Sequence, residues 1–178
     1  MPLWTIFHPA EAFTTPESKR DFAESITAIY ATTLPPFYIN VIFMRVEPDS
    51  LYIGAVARPS PHVQANEPGS RSDRPFIRIT VEHIARTLPN EEYRDWMLGN
   101  LDAAMKPHIQ DKGYDWEYSI HETRRDMWKV NGHVPPMPLT EAELEWVRLN
   151  EPVPYEPEKG GLIGGSAPWE GLSRRAKL

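Results

Sequence analysis

The chain has 178 residues, 40% of them hydrophobic and 25% charged, with a formal net charge of -6 and no cysteine. That length suits one domain able to bury a proper core, and the acidic balance leaves no electrostatic footprint for nucleic acid. The missing cysteines exclude disulfides, thiolate metal sites and a cysteine nucleophile, and no apolar run is long enough to span a bilayer.

Taken in chain order, Pro2 to Phe7 reads as a short buried strand. Thr15-Pro16-Glu17 starts a helix, with threonine as N-cap and proline at the first helical position. Phe22, Ile26, Ile29 and Tyr30 recur at helical spacing, and Pro35-Pro36 forbids continuation. Tyr38 to Val46 is a rich β run, turned at Pro48-Asp49-Ser50, with Leu51 to Gly54 returning. Residues 2 to 46 therefore read as a βαβ unit. Residues 57–75, with Pro59, Pro61, Pro68 and Gly69, read as a long loop insertion and a candidate lid. A second unit of the same length follows over 76 to 120. It has a strand at Phe76–Val81, a helix capped at Asn90 carrying Trp96, Met97, Leu101 and Met105, and a strand with Trp116, Tyr118 and Ile120 on one face. Pro107 ends that helix. Beyond Gly132 the composition shifts to prolines around one helical stretch near Thr140 to Leu149, then to a glycine-rich arm. The expected division is a double βαβ domain over 1–134 and a C-terminal extension over 135–178, packing on the domain or on a neighbouring subunit. Gly161-x-x-Gly164 lacks the lysine and the preceding strand of a phosphate loop.

The chemistry points to the second residue. A small residue behind Met1 favours removal of the initiator, which here leaves proline, a rigid secondary amine, as the terminus. An α-amino group starts near pKa ~7.7–8.0; burial lowers it, towards the range useful for proton transfer at neutral pH. Taken alone, Met-Pro is more often a plain start than a catalytic one. His8, His62, His108, His121 and His133 are too scattered for a metal site, and no Ser/His/Asp arrangement stands out.

Two tandem βαβ units beginning at Pro2 resemble the tautomerase superfamily, and within it the cis-3-chloroacrylic acid dehalogenase group and its fungal-type relatives. The likeness rests on Phe37-x-x-Asn40-Val41-x-Phe43, Tyr52-Ile53-Gly54, Trp116-x-Tyr118, and Gly132 with Pro135 and Trp146. It implies an α+β, tautomerase/MIF-like β-α-β fold, an irregular C-terminal arm, a homotrimer and a cofactor-independent enzyme. It also implies that Pro2 is general base or acid on a small 2-oxo or α,β-unsaturated carboxylic acid, with Tyr118 positioning substrate or water. Tyr30 stands where the family has a histidine. In the stretch Glu82-His83-Ile84-Ala85-Arg86, Arg86 is the implied carboxylate clamp with His83 as its companion; Arg78 is the fallback. The family's water-activating glutamate is replaced by Lys129 or Val130, and Asp126 is out of register, so efficient dehalogenation is not expected.

Each residue also has a plain structural reading. Arg86 caps a strand, His83 is a satisfied histidine, Tyr30 and Tyr118 are packing, and Lys129 is a solvated charge. The rival to an enzyme is a degenerate trimeric homologue that binds or scaffolds, and retention of Met1 separates the two. No metal, nucleic-acid or membrane partner is expected. With no secretory signal ahead of the first strand, a cytoplasmic location is expected.

Overall fold

The computed structural model describes residues 1–31, 34–60, 73–84, 86 and 88–161. Most of the 57–75 insertion and the arm beyond residue 161 lie outside the described residues. Among the described residues, no helix is long and apolar enough to cross a membrane.

Alternation builds the first strand, β1 (Pro2–His8), in which Pro2, Trp4, Ile6 and His8 are buried and the residues between them half-buried. Helix α1 (Pro16–Tyr30) starts where expected: the Thr15 hydroxyl accepts the Ser18 N–H at 3.2 Å, and Ser18 Oγ accepts the Thr15 N–H in return. It ends at Tyr30, ahead of the two prolines, and Pro36–Tyr38 form a short 3₁₀ turn instead of strand. Strand β2 is accordingly Asn40–Arg45, shorter than the β run in the sequence. The returning segment does not join β2. It pairs as β3 (Tyr52–Ile53) with β4 (Val56–Ala57), because Gly54 and Ala55 both take left-handed backbone angles and close a two-residue turn.

The second unit repeats the first, with β5 (Phe76–His83), α2 (Glu91–Met105, capped by the Asn90 side chain) and β6 (Asp115–Glu122). Strand order is β2-β1-β5-β6. Each βαβ unit supplies one parallel pair, and the two pairs meet through the antiparallel β1–β5 ladder at the middle. Trp4, Ile6, Ile77, Ile79 and Val81 face α1 and α2, meeting Phe22, Ile26, Met97, Leu101 and Met105 in one core. The opposite sheet face carries the alternating residues and has no layer over it among the described residues: Ile42 is 44% and Met44 46% exposed. A third helix, α3 (Glu141–Leu149), packs its fully buried Trp146 into the same core, with the indole N–H donated to the Val153 carbonyl at 2.8 Å.

Candidate active site

The amino terminus lies at the end of a central strand and is enclosed by parts of the chain distant in sequence. On one side Pro2 is paired with His83 of β5, and the Ile84 N–H donates to the Met1 carbonyl at 3.2 Å. On the other, the parallel register Leu3↔Asn40 brings the turn holding Tyr38 level with the terminus. Arg86 follows β5, Arg125 opens a 3₁₀ turn after β6, and α3 supplies Glu143.

Glu143 is 2% exposed, and its carboxylate takes both arms of the Arg86 fork, at 3.1 and 2.9 Å, plus the Leu139 N–H at 2.7 Å. Bidentate geometry and the extra donor make this a firmly oriented pair. Arg125 donates to the Pro135 carbonyl at 3.1 Å and to that of Pro136, and its guanidinium lies over the Trp128 ring at 5.5 Å. The same indole receives the edge of the Tyr38 ring at 4.8 Å.

These surroundings set the charge states. Burial, then the Arg125 and Arg86 guanidiniums, pull the terminal amine of Met1 from 8.0 to about 4, against the opposing pull of Glu143. Burial and the charge of the terminus lower His83 to about 4, with Glu122 opposing. Both groups are therefore neutral near pH 7. Burial raises the Tyr30 and Tyr38 phenols, which stay protonated. The Tyr30 ring lies 6.1 Å from that of His83.

The fold thus gathers Pro2, Tyr30, His83 and Arg86. It places Arg78 and Tyr118 elsewhere in the subunit. Arg78 is opposite Phe7, on the uncovered sheet face, where it donates to Ser119 Oγ at 2.8 Å and pairs with Glu117 at 3.6 Å. Tyr118 is opposite Ile79, four residues from His83 along β5, or roughly 13 Å at the usual strand rise. Its hydroxyl donates to Asp102 at 3.0 Å, and burial together with that carboxylate raises it to about 12. Lys129 is exposed, Val130 bridges His133, and Asp126 pairs with Arg124 at the surface.

Sequence reasoning passed over three residues of the cluster: Tyr38, Arg125 and Glu143. Thr140-x-x-Glu143 has the form of a capping box, and Thr140 does cap α3, but the glutamate leaves its usual partner for Arg86. Among the described residues, no group of three or more histidine or acidic side chains is placed to hold a metal ion.

Residues 1–151 match the family described as "Putative oxalocrotonate tautomerase enzyme". A crystal structure of a point mutant of RhCC from Rhodococcus jostii RHA1 is similar, with 34% identity, a TM-score of 0.78 and coverage of 92% of this chain and 99% of that one. A structure described as a probable enzyme from the thermophilic fungus Aspergillus fumigatus is 36% identical, with a TM-score of 0.74 and coverage of 87% and 98%. A fused 4-OT described as a symmetric trimer shares 12% identity over 74% of this chain and 94% of its own, with a TM-score of 0.52, a likeness of fold. No curated protein sequence matches the chain. With the family match running from the terminal strand through α3, and the tandem βαβ sheet laid out as above, this chain belongs to that tautomerase family.

Proposed function

We propose that the chain is a cofactor-independent, cytoplasmic tautomerase of the cis-3-chloroacrylic acid dehalogenase-like type, acting on a small 2-oxo carboxylic acid once removal of Met1 frees Pro2. The observation that carries this reading is the buried amino terminus: burial and the Arg125 and Arg86 guanidiniums lower the Met1 amine, and the same surroundings would act on Pro2 once Met1 is removed, keeping an amine neutral and so able to accept a proton. Arg86 and Arg125 together carry one more positive charge than Glu143 cancels, which suits one substrate carboxylate. His83, neutral, offers a hydrogen bond beside it, and Tyr30 supports His83. Pro2 takes a proton from C3, whose electrons form the C2=C3 bond while the carbonyl π pair moves onto oxygen. Return of the proton to that oxygen completes the enol, and the reverse sequence gives the keto acid.

Water addition is the weaker activity in this reading. Lys129 is exposed, Val130 has no proton-accepting group, Asp126 is held by Arg124 at the surface, and both Glu143 oxygens are committed to N–H donors. A homotrimer accords with the sheet face and the β2 and β6 edges left open among the described residues. Tyr118 and Arg78 join the reaction only from a neighbouring subunit. The test is turnover of phenylpyruvate by protein starting at Pro2. Pro2→Ala is expected to lose ~10²–10⁴ in rate, the contribution of a positioned base. Full activity in Pro2→Ala would place the base elsewhere.

A further inference from the structure

Tyr38 presents a buried hydroxyl with no hydrogen-bond partner among the described residues. The residue is 1% exposed, its ring fixed edge-on by Phe37 at 4.9 Å, Trp128 at 4.8 Å and Trp146 at 6.1 Å. A packed aromatic ring does not need that oxygen: phenylalanine fills the same space without the cost of an unmet polar group. Tyr38 belongs to the site by position: the β1–β2 register sets its turn level with the terminus, and the charges of Glu143, Arg125 and Arg86 act on its phenol. The Trp128 ring ties it to Arg125, which lies over the same indole. Across β1, His83 Nδ1 is a second buried atom without a partner. Two residues level with the terminus, one on either side of β1, therefore each carry an unmet buried polar atom.

We propose that the Tyr38 hydroxyl contacts substrate, donating a hydrogen bond to the carbonyl oxygen of a bound 2-oxo acid and to the enolate oxygen that the carbonyl becomes. This rests on the tautomerase reading of the site. The donor is protonated throughout the neutral range, because burial and then Glu143 raise the phenol above its ordinary value. A donor aimed at the oxygen where charge develops favours the transition state over the ground state. Tyr38 keeps its proton; the proton that moves is the one carried by Pro2.

The test compares two ligands by calorimetric titration of the chain starting at Pro2: phenylpyruvate, and 3-phenylpropionate, which has the carboxylate but no 2-oxo group. Tyr38→Phe is expected to weaken phenylpyruvate about 10-fold, the worth of one buried hydrogen bond. It should leave 3-phenylpropionate unchanged and the melting temperature equal or higher. Equal losses for both ligands would overturn the assignment to the carbonyl. No loss for either, no binding of phenylpyruvate to the parent protein, or a fall in melting temperature showing a structural partner would overturn it too. The Pro2 reading is judged separately: Pro2→Ala should bind phenylpyruvate and fail to turn it over. If Pro2→Ala still turns over, the proton-transfer reading falls while the titrations continue to decide Tyr38.

Discussion

His83 shows how one side chain records its surroundings. Its backbone pairs with Pro2, its ring lies against Tyr30, and burial holds it neutral, at about 4 in place of 6.5. The terminal amine is lowered likewise, from 8.0 to about 4. A depressed folded value means that the unfolded chain binds the proton first. Stability is then complete above the unfolded values and is lost as pH falls through roughly 8 to 4. Burial lowers His8 as well, so it adds to the lower part of that window. Thermal melts are expected to drop from pH 8 to pH 4, and His83→Gln should flatten the portion below about 6.5. An unchanged slope in that variant would show that His83 is not among the titrating groups. Pro2 was legible in the sequence from its place behind Met1, whereas His83 and Arg86 came only from the resemblance, since no local pattern says which charged side chains beyond a strand end turn towards the terminus. Arg78 shows the limit: it differs from His83 by an odd number of residues on one strand, and the pleat alone puts it on the other face.

At the level of elements, local signals gave boundaries well. Thr15 and Asn90 cap the helices they were expected to cap, and Pro107 stands just past the end of α2. The segment Pro36–Tyr38 was harder, because a β-rich composition followed two prolines and the prolines prevailed as a 3₁₀ turn. The pairing of β3 depended on left-handed angles at Gly54 and Ala55, and at alanine no sequence rule announces one. What local signals cannot supply is the place where an element docks. Helix α3 was visible as a helix, but only tertiary packing carries Glu143 to Arg86, 57 residues away. Removing one partner of a buried ion pair costs about 3–5 kcal/mol, and since Arg86 retains 19% exposure the lower end applies. Glu143→Ala is therefore expected to destabilise by about 3 kcal/mol in denaturant melts and to reduce turnover by loosening Arg86. A variant with parental stability and activity would show that α3 has no part in ordering the site.

At the scale of the molecule, the four-stranded sheet is clad on one face only among the described residues. Leu3, Phe7, Ile42 and Met44 alternate with core residues along β1 and β2 and share the uncovered face. Apolar surface of this kind calls for a partner, and cyclic association of identical chains covers faces and edges together. The chain is expected to sediment as a trimer at micromolar concentration, and an Ile42→Glu/Met44→Glu variant should shift towards monomer with its helices intact. A parent protein that sediments only as monomer would contradict this.

All of the chemistry descends from one claim, that the burial and the Arg86 and Arg125 charges that lower the Met1 amine also keep the Pro2 amine uncharged at neutral pH once Met1 is removed. The direct measurement is an NMR titration of the terminal nitrogen in protein that starts at ¹⁵N-labelled Pro2. The expected midpoint lies well below the ordinary α-amino range of ~7.7–8.0, with the amine neutral at pH 7. A midpoint at or above that range would mean a protonated terminus at neutral pH, and the proposed base would be lost.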